Sequence, residues 1–306
     1  VARTTVRARV ALVTYRPGEN GNADRDLPAL KEALEDAGAH AVVAHWDDPE
    51  VDWAAFDLVL IRSTWDYSWR VAEFVAWAEL CGKLTRLANP ADVVRWNTDK
   101  RYLGDLAAAG VPVVPTRYVA PGEDAELPED HEFVVKPTAG AGARFAARYT
   151  PAERETAARQ LARMHAEGLT AMVQPYLRNI DAAGERALQF FGGRFLHASR
   201  KGAVLEPGTP YDGVKVPHPQ LQDWEVTPAE LLVAERALAA VPDAVAAAAG
   251  GEGAAPELLY ARVDLVDGDD GEPRVMELEL VEPNLFLWLH PESLHVVAEA
   301  VIRAAR

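Results

Sequence analysis

A single cysteine, Cys81, stands in 306 residues, which excludes a disulfide framework and a cysteine-based zinc site. It reads as a packed core thiol in a reducing compartment. Positive charge is in deficit. Lys and Arg number 31 against 47 Asp and Glu, for a net charge of −16. No basic cluster offsets it, so neither nucleic acid nor an anionic membrane is expected as a partner. No apolar run is long enough to cross a bilayer and no signal peptide is evident, so the expected location is cytoplasmic. HExxH, GxSxG and a histidine cluster at metal-binding spacing are also missing; His290 and His295 read as surface or helix-end residues. The remaining composition, 49% apolar and 25% charged, is that of a globular protein with room for two or three domains.

The first hundred residues alternate short apolar runs with helical patterns. Arg9–Tyr15, Ala41–His45 and Leu58–Arg62 read as strands, Leu27–Ala37 and Val71–Cys81 as helices. That alternation predicts a doubly wound parallel sheet, whose ligands gather at the carboxyl ends of the strands. The loop Ser63–Trp69 lies there. Arg62, Ser63, Thr64 and Asp66 have the chemistry to grip a small zwitterion, Arg to a carboxylate and Asp to an amine; a Trp-rich loop packed under a neighbouring domain is the alternative. Asn97–Ala109 reads as a helix with Lys100 in its first turn, a poor place for a cation unless it faces an anion.

Glu132–Pro137 is a strand whose apolar run is interrupted by Lys136. The loop Thr138–Arg144, with Gly140 and Gly142, leads into a second strand, Phe145–Tyr149, rather than a helix. Walker A and dinucleotide fingerprints both need a helix there, so the loop is either a flap able to close over phosphates or a hairpin turn. Thr150 caps a helix over Pro151–Glu167. Ala171–Leu177 is a strand in which Pro175 marks an edge or an exit from the sheet. Arg186–Phe191 and Arg194–Ser199 form a hairpin about Gly192-Gly193, and Glu206–Asp223 is a long loop without periodicity. A helix over Pro228–Ala249 and another near Pro291–Ala305 follow in the C-terminal third.

Between those two helices lies Leu258–Leu287. With a turn at Asp270-Gly271, Val266 falls opposite Val275, Asp264 opposite Glu277 and Arg262 opposite Glu279. Alternation puts Arg262, Asp264, Glu277 and Glu279 on one face, and Val263, Leu265, Met276, Leu278 and Leu280 on the other. Carboxylates at this density suit Mg²⁺ shared with nucleotide phosphates. A solvated face of an antiparallel sheet has the same pattern.

Taken in order, Lys100, VVKP with its glycine flap, VQPYL, GERALQFFGGRFLHASRK, RVDLV and VMELELVEPN resemble the ATP-grasp superfamily over essentially the whole chain. No single piece is specific; the ordered set is. The resemblance implies an α/β (α+β ATP-grasp) fold. An N-terminal doubly wound domain over 1–96 on the substrate side precedes two α+β subdomains, 97–177 and 178–306, that grip ATP. It further implies that Lys100, Lys136 and the flap with Gly140 and Gly142 contact phosphates, and that Gln174, Tyr176 and Leu177 hold adenine. By the same resemblance Arg186 and Arg262 face the transferred phosphoryl group, while Asp264, Glu277 and Glu279 bind two Mg²⁺ ions. Glu279 stands where relatives carry Asn, so Asn284 of Glu282-Pro-Asn284 is a second choice of ligand.

The implied reaction activates an amino-acid carboxylate as an acyl phosphate for attack by an amine. STWDY and VEPNLFLW look like a branch of small single-chain ligases in which an O-ureido-serine substrate closes an isoxazolidinone ring on itself. An intermolecular carboxylate–amine ligase and a non-catalytic nucleotide-binding protein are the rival readings. The expected partner is a small amino-acid-like molecule, with a homo-oligomer left open.

Overall fold

In the computed structural model of the chain, residues 7–17, 23–140, 145–203, 205, 220–251 and 255–306 are described. The first sheet is parallel. Arg9–Thr14 (β1), Leu27–Asp36 (α1), His40–His45 (β2), Leu58–Ser63 (β3), Val71–Leu84 (α2) and Arg86–Ala88 (β4) give the strand order β2-β1-β3-β4. The runs VALV and LVLI are fully buried because both faces are covered. Leu30 and Leu34 of α1 pack on one face together with Val297 and Val301 of the C-terminal helix Leu294–Ala304. Phe74, Trp77 and Cys81 of α2 cover the other. Burial pushes the Cys81 thiol up to about 12, which makes it an inert core residue.

The helix expected over Asn97–Ala109 is two short helices, Ala91–Asn97 (α3) and Tyr102–Ala108 (α4). Asp99 accepts from the Arg101 N–H at 2.9 Å, an Asx turn that interrupts the helix. Lys100 therefore sits in the link, its N–H bonded to Thr138 O at 2.8 Å. The second sheet comprises Arg117–Val119 (β5), Phe133–Pro137 (β6), Ala147–Tyr149 (β7) and Ala171–Pro175 (β8), in the order β5-β8-β6-β7 and all antiparallel. Between β7 and β8, Thr150 and Glu153 form a reciprocal capping box ahead of Arg154–Ala166 (α5). Strand β8 is interior, and Pro175 ends it where the chain leaves the sheet.

The third sheet carries the site. After Asn179–Ala183 (α6) come Glu185–Phe191 (β9), Arg194–Lys201 (β10), Gln222–Asp223 (β11), Pro228–Ala248 (α7), Tyr260–Asp267 (β12) and Pro273–Glu279 (β13), with order β11-β10-β9-β12-β13. Arg262↔Glu279 and Asp264↔Glu277 pair as the turn predicts, but a bulge then shifts the register. Val266 faces Arg274, not Val275, and Met276 is the extra residue. Met276 consequently leaves the core face and lines the cavity described below. The connection runs over Gly268–Glu272, closed by Gly268 N–H to Glu272 O at 2.9 Å.

Strand β13 is an edge whose outer backbone groups need partners. The chain supplies them. Val275 exchanges bonds with Pro112 O and Val114 N. Leu278 N–H donates to the Tyr102 hydroxyl, and Asn97 spans Leu278 O and Leu280 N at 2.9 and 2.8 Å. These bonds fix the strand bearing Glu277 and Glu279. The three sheets lie within 1–96, 97–177 and 178–306, yet packing crosses those limits. Val93, Trp96, Tyr102 and Leu106 join the core of the third sheet, and the C-terminal helix joins the first.

Candidate active site

A cavity opens between the second and third sheets. Lys136 and Gly140 line it from one side; Glu185, Lys201, Arg262, Asp264, Glu277 and Glu279 from the other. Oxygens of Asp264, Glu277 and Glu279 lie within 4.8 Å of one another, an all-carboxylate donor set that fits a hard cation such as Mg²⁺. Asp264 is fully buried and held between two cations: Arg262 Nε and Nη2 donate to it at 2.8 and 2.7 Å, and Lys201 Nζ at 2.7 Å. Burial would raise its pKa, but Arg262 and Lys201 hold the carboxyl well below the usual carboxylate range. Arg262 also pairs with Glu279, and Lys201 with Glu185.

Lys100 Nζ is 3.0 Å from Glu277 and donates to Gly140 O at 2.6 Å. Burial opposes its charge, and Glu277 more than offsets this. Burial and the neighbouring Lys100 lower Lys136, against the pull of Glu277. Burial, with Glu277 and Asp264 alongside, pushes the Glu279 carboxyl up to about 7 against the pull of Arg262. An anion entering here meets buried ammonium groups, and a cation meets converging carboxylates. That is the electrostatic requirement of phosphoryl transfer.

Apolar side chains line the far end: Val114, Leu177, Ile180, Val266 and Met276. Gln174 lines it too, its amide fixed on Thr116 Oγ1 at 2.9 Å. The Tyr176 ring lies under the Arg148 guanidinium at 3.6 Å, and its hydroxyl donates to Asp181. An apolar slot with one fixed amide at its edge has the chemistry to take a heteroaromatic base. Gly142 lies outside the described residues, as does residues 206–219 of the expected loop.

Two expectations are corrected. Arg186 does not face the cavity. It shares parity with Leu188 and Phe190, which pack against α7, and its Nε donates to Glu230 at 2.7 Å while Nη2 pairs with Asp267. The cation on the cavity side is Lys201, opposite Glu185, a pair that sequence reasoning passed over. A bulge at Leu196 sets that register. Without it Glu185 would face Arg200, so counting outward from Gly192-Gly193 could not find the pair.

The second correction concerns Arg62, Ser63, Thr64 and Asp66, none of which lines the cavity. Strand β3 runs on through Ser63, burying Arg62 and Ser63. Ser63 Oγ bonds Thr14 Oγ1 at 2.8 Å, Thr64 is fully buried, and Asp66 accepts from Trp46 Nε1 at 2.8 Å. The loop instead presents Trp65 and Tyr67 to the cavity.

What Arg62 holds is a seam. Residues 280–285 form no helix or strand, so their carbonyls need partners from elsewhere. Leu280 O accepts from Asn89 Nδ2 at 2.7 Å, Val281 O from the Tyr260 hydroxyl at 2.8 Å, and Glu282 O from Trp65 Nε1 at 3.3 Å. Pro283 O accepts from Arg62 Nη2 at 3.1 Å, Asn284 O from Gln189 Nε2 at 2.9 Å, and Leu285 O bonds His197 Nε2 at 2.7 Å. Six consecutive carbonyls are thus held by side chains from the first sheet and the loops that follow its strands, and from the third sheet. Glu282 and Asn284, both on the cavity wall, are positioned by that lattice.

Fold and cavity together define an ATP-grasp ligase. Residues 10–89 match the family described as the N-terminal domain of D-cycloserine synthetase DcsG. Over 287 residues the chain is 43% identical to the cycloserine biosynthesis protein DcsG of Streptomyces lavendulae, covering 91% of this chain and 93% of that protein. The crystal structure of D-cycloserine synthetase DcsG superposes with a TM-score of 0.86 at 40% identity, over 98% of this chain and 100% of that one. D-alanine–D-alanine ligase from Bacillus anthracis, complexed with ATP, shares the fold at 14% identity and a TM-score of 0.67, over 97% and 96% of the two chains. The chain therefore belongs to the DcsG family of ATP-dependent ATP-grasp ligases. No described helix is long and apolar enough to cross a membrane.

Proposed function

We propose that the chain is an ATP- and Mg²⁺-dependent cyclo-ligase that closes O-ureido-D-serine into the D-cycloserine ring. The observation that carries this reading is the convergence of Asp264, Glu277 and Glu279 with Lys100, Lys136, Lys201 and Arg262 in one cavity with an apolar slot. The relationship to DcsG supplies the substrate class.

In this reading the slot of Val114, Leu177, Val266 and Met276 takes adenine, with Gln174 and the backbone of Tyr176 and Leu177 at its edge. Lys100, Lys136 and the backbone around Gly140 hold the phosphates. Asp264, Glu277 and Glu279 hold Mg²⁺, which when bound neutralises phosphate oxygens; Asn284 faces the same space. Arg262 and Lys201 orient the substrate carboxylate against the γ-phosphorus. The carboxylate oxygen attacks, ADP leaves, and an acyl phosphate forms. The nitrogen bonded to the substrate's side-chain oxygen then attacks the acyl carbon and expels phosphate. Water then cleaves the bond from that nitrogen to the carbamoyl carbon. The group leaves as carbamate, which breaks down to CO₂ and NH₃, and the nitrogen keeps a proton, as atom balance to the unsubstituted ring requires.

Charge counting supports two metal ions. Four cavity cations (Lys100, Lys136, Lys201, Arg262) face five carboxylates (Glu185, Asp264, Glu277, Glu279, Glu282), so the lining has no positive charge to spare. A triphosphate adds roughly four negative charges, which two divalent ions balance and one does not.

The deciding experiment is ADP release with ATP, Mg²⁺ and O-ureido-D-serine and no added amine. Turnover with a ring product is expected. ADP release only on adding a second amine would establish the intermolecular ligase instead. Lys136→Ala is expected to abolish ADP formation, and unchanged turnover in that variant would overturn the phosphate site.

A further inference from the structure

Gln174 brings a side-chain amide to the edge of the apolar slot, and its neighbours fix which end of that amide faces inward. Gln174 is 3% exposed and lines the cavity. The antiparallel register that sets Arg117 opposite Val173 places Thr116 across from it. Gln174 Nε2 donates to Thr116 Oγ1 at 2.9 Å, and Thr116 Oγ1 donates to Val114 O at 2.9 Å. A hydroxyl has one proton to give. Because Thr116 gives it to Val114, it can only accept from Gln174, and the amide must turn its nitrogen that way. Reversing the amide would draw the proton from Val114 O, which has no other donor among the described residues. Leaving that carbonyl unpaired disfavours the reversed amide by about tenfold or more. Val114 cannot shift to compensate, since its N–H is held by Val275 O at 3.0 Å and its side chain forms the slot wall. Gln174 Oε1 meets no donor among the described residues and is the end of the amide left to the slot.

We infer that Thr116 is the positioning residue for nucleotide choice: it holds the Gln174 carbonyl oxygen toward the slot, so that a 6-aminopurine is accepted and a 6-oxopurine is turned away. This rests on the ligase reading, in which the slot takes adenine, and adds to it the device that selects the base. The exocyclic amine of adenine donates, and a carbonyl acceptor satisfies it. Hypoxanthine and guanine carry an oxygen at that position, so two acceptors would meet with no proton between them. An amide free to turn over would offer its NH₂ to the oxo base instead. Selection thus depends on a hydroxyl that is not itself part of the cavity wall.

The test uses ATP and inosine triphosphate, which differ at the 6-position and in the adjoining N1 proton. Nucleoside diphosphate release is measured with O-ureido-D-serine, and thermal shift with ADP or IDP and Mg²⁺. In the parent, KM for inosine triphosphate should exceed that for ATP by about thirtyfold or more. Thr116→Val keeps the branched shape and removes the hydroxyl. It should raise KM for ATP by about threefold to tenfold, lower KM for inosine triphosphate, and bring the two within about threefold, with the change in KM rather than kcat. Thr116→Ser restores the hydroxyl and should keep the parent ratio. Gln174→Leu should also erase the ratio. Equal increases of both KM values in Thr116→Val, the result of a merely structural role, would overturn the inference. So would a preference for ATP that survives in Gln174→Leu, which would assign the choice to the backbone of Tyr176 and Leu177. The thermal shift needs no turnover. Failure of the ligase reading appears as absent ADP release while ADP and IDP still differ in the shift they give. Failure of this inference appears as intact turnover with equal stabilisation of the parent by ADP and IDP.

Discussion

Replacing Arg186 with methionine separates a structural arginine from a phosphate-binding one. The guanidinium is 2% exposed and its partner Glu230 is 4% exposed, so the substitution leaves a buried carboxylate without its counter-ion. Breaking such a pair from one side costs about 3–5 kcal/mol. The lower figure applies, because Glu230 keeps bonds from Trp224 Nε1, Thr227 N and Thr227 Oγ1 at 3.1, 2.8 and 3.0 Å. At about 2 °C per kcal/mol for a chain of this size, Tm should fall by roughly 6 °C. Methionine preserves the volume, and the side chain points to α7 rather than the cavity. Turnover measured well below Tm should therefore remain within about threefold of the parent, as for a residue with no contact to the reacting atoms. Adding Glu230→Gln should recover part of the lost stability, since a neutral side chain no longer needs the cation. Calorimetry and ADP release on the three proteins settle it. An unchanged Tm with abolished turnover would place Arg186 at the phosphate and refute the register.

Lys201→Met removes the cation between Asp264 and Glu185 while leaving Arg262 on Asp264; kcat should drop by about a hundredfold or more, and near-normal kcat would exclude Lys201 from the site. Asn97→Ala strips two backbone partners from the outer edge of β13. It should cost about 2–3 kcal/mol in chemical denaturation and raise the Mg²⁺ requirement by loosening Glu277 and Glu279; normal stability would refute the edge argument. Burial, with His290 stacked at 4.0 Å, lowers His197 from 6.5 to about 4. The unfolded chain then binds the extra proton first, so stability present above pH 6.5 should fall by up to about 3 kcal/mol as pH drops toward 4. His197→Gln should flatten that part of the Tm–pH curve, and an unchanged slope would rule out His197 as its source.

Much of the fold could be read directly, because its signals are local. Buried parallel strands announce themselves as apolar runs, and α7 by Thr227, Pro228 and Glu230 at its start. The site was readable where parity alone decides, as for Arg262, Asp264, Glu277 and Glu279. Parity speaks against Arg186 too, which falls in step with Leu188 and Phe190, whereas the expectation for it rested on the family resemblance alone. Where the reading failed, the cause was a bulge or a non-local bond. One extra residue at Leu196 brings Lys201 opposite Glu185, and one at Met276 turns that side chain from the core to the cavity. Neither bulge has a glycine to mark it. The donors that hold residues 280–285 come from positions up to 221 residues away in the chain, so no window of sequence contains the pattern.

Those non-local features are also where the chemistry is set. A hairpin with uninterrupted register would place Met276 in the core and Arg200 beside Glu185, and the cavity would lose both its apolar floor and its buried lysine. The seam acts in the same way on the wall that carries Glu282 and Asn284. Arg62 of the first sheet and Trp65 of the loop after it, with Gln189 and Tyr260 from the third sheet, hold a single irregular run of backbone. The distance between Glu282 and the carboxylates on β12 and β13 is therefore fixed by two domains at once. Arg62→Leu would free Pro283 O without touching the cavity. It should weaken substrate binding more than ATP binding, a split in KM that a purely global loss of stability would fail to produce.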